Sequence, residues 1–193
     1  MMIRKMDLND DIFRIAELIY ETDGTIFPLL FGRKDKAVPK IAQLVKMENN
    51  SFSYKKIFCF VEDRVQGILI AYNTNENEKE DCDLKQVFTT IELIKLYLKS
   101  LVVESILKKV QIEGLYIQNV CVDRAQRGKG IGAKLIDYYS NFAKDSNFKS
   151  ISLDVEVNND NAIRLYGKKG FEIVEKRRIG LTKHKFYRMN KML

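Results

Sequence analysis

The chain has 193 residues, of which 46% are hydrophobic and 31% charged, with 10 glycines and 2 prolines. This length supports one domain with a substantial core, and the composition excludes a disordered or collagen-like chain. The formal net charge is +7, but the excess is confined to residues 123–193, which hold 16 Lys and Arg against 8 Asp and Glu. We therefore expect the C-terminal part to face an anion, such as a phosphorylated cofactor, a nucleic acid or an acidic surface.

Several classes of protein are excluded by what the sequence lacks. No apolar run approaches the roughly 20 residues that cross a bilayer, and the first residues lack the apolar block of a secretory signal. We therefore expect a cytoplasmic protein with no membrane partner. The three cysteines, Cys59, Cys82 and Cys121, are widely spaced, which does not indicate a disulfide framework. With His184 as the single histidine and no CxxC pair, we expect no metal site.

The first part of the chain predicts a short strand followed by two helices. The strand is expected at Met2–Met6, and an aspartate can then cap a helix that ends near Tyr20. A turn and an apolar loop are predicted at Thr22–Gly32, because Pro28 disfavours regular structure inside this segment. The second helix is predicted at Lys36–Met47.

The middle of the chain predicts a β-hairpin and then helix. Lys56–Glu62 and Val65–Tyr72 have the composition of strands and are separated by only two residues. Asn73–Asp83, rich in Asn, Glu and Asp, is expected to be a solvated loop. Leu84–Val110 has helical periodicity, which fits one long helix or two broken ones.

The rest of the chain alternates strands and helices. Strands are predicted at Gly114–Val122 and at Ser150–Val157, where apolar and polar residues alternate, with a helix at Ile131–Ala143 between them. A short helix at Ala162–Lys168 precedes two closing strands, Phe171–Arg177 and about Lys185–Asn190. This order of elements predicts a single α/β domain over residues 1–193, with a mixed sheet flanked by helices.

The most specific motif is Arg127-Gly128-Lys129-Gly130-Ile131-Gly132, between a predicted strand and a predicted helix. Glycines let the backbone approach a ligand closely, and the N–H groups at a helix N-terminus favour a phosphate. The spacing differs from that of the nucleotide P-loop and of the dinucleotide GxGxxG motif. The motif predicts an anion site, while a purely structural turn remains open on this pattern alone.

A second motif follows about thirty residues further on, at Asn159–Phe171. Together the two motifs resemble those of the GNAT superfamily of acetyl-CoA-dependent N-acetyltransferases, whose members carry R/Q-x-x-G-x-G/A and then N-x-x-A-x-x-L-Y-x-x-x-G-F. The chain matches the second pattern without a mismatch. The resemblance extends from about Asn119 to Phe171 and implies a GNAT-like acyl-CoA N-acyltransferase fold. It also implies an acceptor-side part at 1–112 and an acetyl-CoA-binding core at 113–176.

The resemblance implies which residues would bind acetyl-CoA as co-substrate. The turn would hold the pyrophosphate through its backbone and basic side chains. Its residues are Arg127, Gly128, Lys129, Gly130, Ile131, Gly132 and Ala133. The preceding strand would pair with the pantetheine arm through the backbone of Val120, Cys121 and Val122. The N–H of Val120 would polarise the thioester carbonyl, and Asn159 would hydrogen-bond the cofactor arm.

The resemblance also implies that Tyr166 donates to the departing CoA sulfur. A leaving thiol with a reference pKa of roughly 8.5 is a stronger acid than a phenol at about 10, so proton transfer from Tyr166 is uphill by roughly 2 kcal/mol. We therefore expect Tyr166 to act by hydrogen bonding. Cys121 lies beside the expected thioester site, but strict alternation places it on one face with Leu115 and Ile117, which favours a buried small side chain over a covalent role.

An amine attacks a thioester only when it is neutral, so a base must remove a proton, directly or through water. Asp154 and Glu156 share one face of the strand at 150–157 and are the candidate bases, with Glu113 as a further one. The alternative is that these carboxylates only line a half-buried strand. Some members of the GNAT superfamily carry a base at another position of the central strand, where this chain has Tyr116.

The segment between the first two helices is the candidate acceptor site. In the GNAT superfamily, which the chain resembles, this segment often borders the acceptor. Here the segment carries Asp23, Phe27 and Phe31. An acidic side chain beside aromatic ones fits an amine with a hydrophobic neighbour. The alternative is that the aromatic side chains only close the end of the core.

Three functions follow, of which N-acetyl transfer to a primary amine in a ternary complex is the leading one. The second is a CoA-binding regulatory domain without turnover, and the third is a basic nucleic-acid-binding domain. The third is disfavoured because the basic part lacks Trp and an RNP-type aromatic pattern. The acceptor is expected to be a small-molecule or peptide amine, and the protein a monomer or homodimer.

Overall fold

The computed structural model describes residues 1–74, 83–104, 114–178 and 185–193. The predictions made for Cys82, Glu113 and His184 lie outside these residues. So do most of the predicted loop after residue 73 and the end of the predicted helical segment beyond residue 104.

Seven described strands form one mixed sheet in the order β1-β2-β3-β4-β5-β7-β6. They are β1 (Met2–Lys5), β2 (Ile57–Val61), β3 (Val65–Asn73), β4 (Leu115–Val122), β5 (Ser150–Glu156), β6 (Glu172–Arg178) and β7 (Lys185–Met192). The central pair β4–β5 is parallel and the other described pairs are antiparallel. The predicted hairpin β2–β3 and the mixed α/β class are confirmed.

Helices cover both faces of the sheet. The described helices are α1 (Ile12–Tyr20), α2 (Ile26–Phe31), α3 (Lys34–Val45), α4 (Leu84–Val87), α5 (Thr90–Glu104), α6 (Ile131–Asp145) and α7 (Asp160–Lys168). One apolar core includes buried residues of α1 and α3, and the other lies on the side of α6 and α7. The described part of the segment that begins at residue 84 forms two helices, α4 and α5, and not one long helix. None of the described helices is both long and apolar enough to cross a membrane.

The segment predicted as an apolar loop instead contains helix α2, so that prediction is wrong. Pro28 is the third residue of α2, where a backbone N–H would have no partner inside the helix, and the missing donor therefore costs little. Oδ1 of Asp23 accepts from the backbone nitrogens of Thr25 and Ile26 at 2.6 and 2.7 Å, which supports the start of the helix. Gly32, with φ at +80°, ends it.

A β-bulge at Gln118 changes the direction of the side chains of β4. Ile70 of β3 lies opposite Asn119, while the next residue of β3 lies opposite Ile117, so Gln118 has no partner of its own. Because side chains alternate with a period of two, one extra residue inverts the faces. Ile117 packs in the core on the side of α6, whereas Cys121 packs in the core that includes α1 and α3. The expectation that Cys121 shares a face with Leu115 and Ile117 is therefore wrong, while its burial, at 4% exposed, is confirmed.

Candidate active site

The two parallel strands at the centre of the sheet separate at their carboxyl ends. Register pairing between β4 and β5 covers only Leu115–Ile117 opposite Ile151–Leu153. In the described residues, β4 then continues to Val122 and β5 to Glu156 without pairing to each other. Diverging carboxyl ends of parallel strands are where open α/β sheets bind ligands. The sheet therefore has a slot whose edges are backbone.

A cleft of about 870 Å³ opens at this slot. It brings together residues that are far apart in the sequence, from the α1–α2 turn, α2, β4, β5 and α7. Eight of the predicted site residues line it: Asp23, Phe27, Phe31, Val120, Asp154, Glu156, Asn159 and Tyr166. The glycine-rich turn at 127–133 lies outside the cleft lining, as do Cys121 and Val122.

The glycine-rich turn has an open backbone conformation at the start of α6. Gly128 and Gly130 have φ values of +79° and +77°, which L side chains rarely adopt. A Cβ placed on either would meet no heavy atom within 4 Å, so the space above the turn is open. Gly130 is the N-cap of α6 and provides no side-chain cap, which leaves the N–H groups of the first turn for an anion. These residues fit a diphosphate.

Tyr166 projects from α7 into the cleft region and is 9% exposed. Burial raises the pKa of its phenol to about 12, so the hydroxyl stays protonated at neutral pH and serves as a hydrogen-bond donor. Asn159 is the N-cap of α7, and its Oδ1 accepts from the backbone nitrogen of Ala162 at 3.1 Å. The residue predicted to touch the cofactor arm thus also fixes the start of the helix that carries Tyr166.

Asp154 is held in a buried network on the floor of the cleft. Arg188 donates to it twice, from Nε to Oδ1 at 2.8 Å and from Nη2 to Oδ2 at 2.6 Å. The hydroxyl of Tyr116 donates to the same Oδ2 at 3.1 Å. Burial, and secondarily the charge of Asp154, raise the pKa of Tyr116 well above its usual value. Tyr116 is therefore a neutral donor, and both oxygens of Asp154 are already engaged.

Comparison with known proteins agrees with this geometry. Residues 102–171 match the acetyltransferase (GNAT) family. A probable N-acetyltransferase, san, of Drosophila melanogaster is 43% identical over 75 residues, which are 38% of this chain and 38% of that protein. N-alpha-acetyltransferase 50 of Danio rerio is 34% identical over 110 residues, which are 54% of this chain and 62% of that protein. The matches thus span less than two thirds of both curated relatives.

A similar solved structure is an N-acetyltransferase from Staphylococcus aureus Mu50. It has a TM-score of 0.76 and 24% identity, and the match covers 98% of this chain and 100% of that one. The chain thus resembles the GNAT family in sequence over residues 102–171 and has the fold of an N-acetyltransferase over nearly its whole length. The separated central strands and the glycine-rich turn before α6 agree with the GNAT-like fold that the two motifs predicted.

The glycine-rich turn is anchored by a residue that the sequence analysis missed. Asp123 follows β4 directly, and its Oδ1 accepts from the backbone nitrogen of Ala125 at 3.0 Å. Its Oδ2 lies 2.7 Å from Arg14 and 3.2 Å from Arg64. The backbone hydrogen bond and then the two guanidinium groups lower the pKa of Asp123. An aspartate between a strand and a glycine-rich turn was the available signal, since this residue type commonly caps turns.

The side of the cleft formed by α2 is aromatic. Phe27 is 7% exposed, and its ring centroid lies 5.8 Å from that of Phe31 and 5.9 Å from that of Phe52. Phe27 belongs to the core and also lines the cleft, so its place in the core does not remove it from the cleft. Phe52 lines the cleft as well, although its sequence neighbourhood gave no sign of this.

Proposed function

We propose that this chain transfers acetyl from acetyl-CoA to a primary amine by direct attack in a ternary complex. The observation that carries the proposal is that Tyr166 and Glu156 line the same cleft, at the slot between β4 and β5. The proposal gives residues 1–112 the acceptor side and residues 113–176 the cofactor core. It also places the enzyme in the cytoplasm.

Acetyl-CoA supplies an acetyl group activated as a thioester. In this proposal, the N–H groups that follow Gly128 and Gly130 hold its diphosphate, and Lys129 and Arg127 add positive charge. The backbone N–H of Val120 polarises the thioester carbonyl, where negative charge develops as the amine attacks. Asn159 is available to the pantetheine arm through its amide nitrogen, because its oxygen already caps α7.

The reaction joins the acceptor nitrogen to the acetyl carbon and breaks the bond from that carbon to sulfur. A base first removes a proton from the ammonium form of the acceptor. Tyr166 then donates a hydrogen bond to the departing sulfur. With a phenol pKa of about 12 against roughly 8.5 for the thiol, full proton transfer is uphill by about 5 kcal/mol, so Tyr166 stabilises the thiolate without ionising.

We assign the base to Glu156, directly or through one water. Asp154 has both carboxylate oxygens engaged by Arg188 and Tyr116, so its role is to position the floor of the cleft. Glu156 lies on the same face of β5, two residues further toward the slot and beyond the last residue that pairs with β4.

Glu156→Gln is expected to lower kcat/KM for an amine about tenfold at pH 7, because the proton acceptor is gone. The matched variant Asp154→Asn keeps Glu156 and should lower kcat/KM by less. Steady-state rates of thiol release at pH 7 check this. If Asp154→Asn lowers kcat/KM more than Glu156→Gln does, the assignment of the base is wrong.

The cofactor site is tested by calorimetry with CoA. Gly130→Val should weaken CoA binding about tenfold, because valine at a φ of +77° is strained and its side chain fills the open space above the turn. Gly32→Val is the matched control, since Gly32 has a φ of +80° with no heavy atom near its Cβ position but ends α2. It should leave CoA affinity unchanged.

Two results would overturn the proposed function. One is the absence of heat when the wild-type protein meets millimolar CoA. The other is CoA binding without thiol release from acetyl-CoA for any member of a panel of small and peptide amines. The second result would instead favour the regulatory domain that binds CoA without turnover.

A further inference from the structure

Asn119 is a buried amide whose oxygen has no hydrogen-bond partner. The residue is 5% exposed and lines the cleft. Its Oδ1 is shielded from solvent and accepts no hydrogen bond from any group of the described residues. Leaving a buried polar group unpaired costs about 1–3 kcal/mol, which is why such groups are rare in folded proteins. An unpaired amide that lines a cleft points to a ligand that completes it.

A second buried asparagine shows how this chain satisfies the same group where its role is structural. Asn50 is 2% exposed, and its Nδ2 donates to the carbonyl oxygen of Leu44 at 2.9 Å. Its Oδ1 accepts from the backbone nitrogen of Phe52 at 2.8 Å. Among the described residues, buried unpaired polar atoms also occur on Arg14, Arg188 and Asn190, and of these four residues Asn119 alone lines the cleft.

The position of Asn119 is on the acceptor side of the slot. It follows the bulge at Gln118 and directly precedes Val120, to whose N–H we assign the thioester carbonyl. It also shares a face of β4 with Cys121, which packs in the core that includes α1 and α3. Thr22, in the turn after α1, lines the same cleft. A group bound to Asn119 would therefore lie beside the reacting carbonyl on the side from which the amine arrives.

The chemistry of the carboxamide selects the group that it binds. Its acceptor and its donor lie side by side, and their complement is a secondary amide, which offers an N–H and a carbonyl in the same arrangement. A second ammonium group on the acceptor is less suited. Asp23 and Asp154 already accept hydrogen bonds from other groups of the chain, and Glu156 is assigned to the attacking amine.

The acceptor side also has an aromatic surface. The rings of Phe27, Phe31 and Phe52 all line the cleft within about 6 Å of one another, centroid to centroid. Such a surface gains free energy from burying a hydrophobic side chain and nothing from a second charge. An acceptor amine that carries both a peptide group and an apolar side chain is the first residue of a peptide.

We propose that Asn119 is a specificity-determining residue that pairs with the first peptide group of the acceptor, so that the substrate is the α-amine of a peptide with an apolar first residue. This inference rests on the proposed N-acetyltransferase function. It adds the substrate class and the residue that reads it.

The test compares two acceptors that differ in the peptide group. One is a tetrapeptide with a free amino terminus and phenylalanine as its first residue, and the other is 2-phenylethylamine. The wild type should prefer the peptide, and Asn119→Leu should lower the ratio of the two kcat/KM values about tenfold, mainly through the KM of the peptide. Asn119→Ala is a second variant for the case that leucine overfills the site.

Stability measurements separate this role from a structural one. Asn119→Leu should keep or raise the midpoint of thermal unfolding, because it removes an unpaired polar group, whereas Asn50→Leu should lower it. An unchanged ratio in both Asn119 variants, or a loss of CoA affinity in place of peptide selectivity, overturns the inference. Both outcomes require thiol release with at least one acceptor. They are therefore distinct from failure of the proposed function, in which no amine reacts.

Discussion

Replacing Arg188 with methionine should lower the free energy of unfolding by about 3–5 kcal/mol, the largest stability effect expected in this protein. Arg188 and Asp154 lie opposite each other on β7 and β5, and their side chains are 7% and 8% exposed. Without the guanidinium, the carboxylate of Asp154 is left buried with the Tyr116 hydroxyl as its remaining partner. Burying a charge without its counter-ion is unfavourable because the charge has lost its hydration.

Urea denaturation of matched variants checks this effect. The double variant Asp154→Leu with Arg188→Met should recover most of the loss, since it removes both charges. Arg33→Met is the surface control, because the Arg33–Asp35 pair is 85% and 59% exposed, and it should change stability by no more than about 0.5 kcal/mol. If Arg188→Met is as mild as Arg33→Met, the buried pair does not stabilise the floor of the cleft.

Tyr166→Phe should lower kcat for acetyl transfer about a hundredfold and leave the dissociation constant of CoA nearly unchanged. The phenol is a neutral donor in a buried site, and a donor aimed at developing charge in such a site typically contributes two to three orders of magnitude. The ring itself remains packed against Phe171, with centroids 5.9 Å apart, so the phenylalanine variant keeps the local packing.

Rates of thiol release at saturating acetyl-CoA and calorimetry with CoA measure the two quantities separately. Tyr138→Phe provides the matched control, because Tyr138 is 39% exposed on α6 and lies outside the cleft lining. Its rate should equal that of the wild type. Normal turnover in Tyr166→Phe would remove the donor role, and a parallel loss of CoA affinity would make Tyr166 a binding residue.

Features that depend on local sequence were predicted well. Alternation in Ser150–Val157 predicted β5, and the glycine-rich motif was correctly located between β4 and α6. The second motif predicted a helix carrying Tyr166, and this side chain does line the cleft. Each of these depends on residues within one or two turns of chain, where spacing alone fixes which side chains share a face.

The sequence by itself therefore indicated the family resemblance, most of the order of elements and the glycine-rich turn before α6. Only the tertiary structure decided the partner of Asp154, the face of Cys121 and the unpaired oxygen of Asn119. Arg188 meets Asp154 through the register of two strands separated by 34 positions in the chain, and Gln118 is recognised as a bulge only opposite β3. Register and burial depend on contacts between distant segments, which spacing along one segment does not encode.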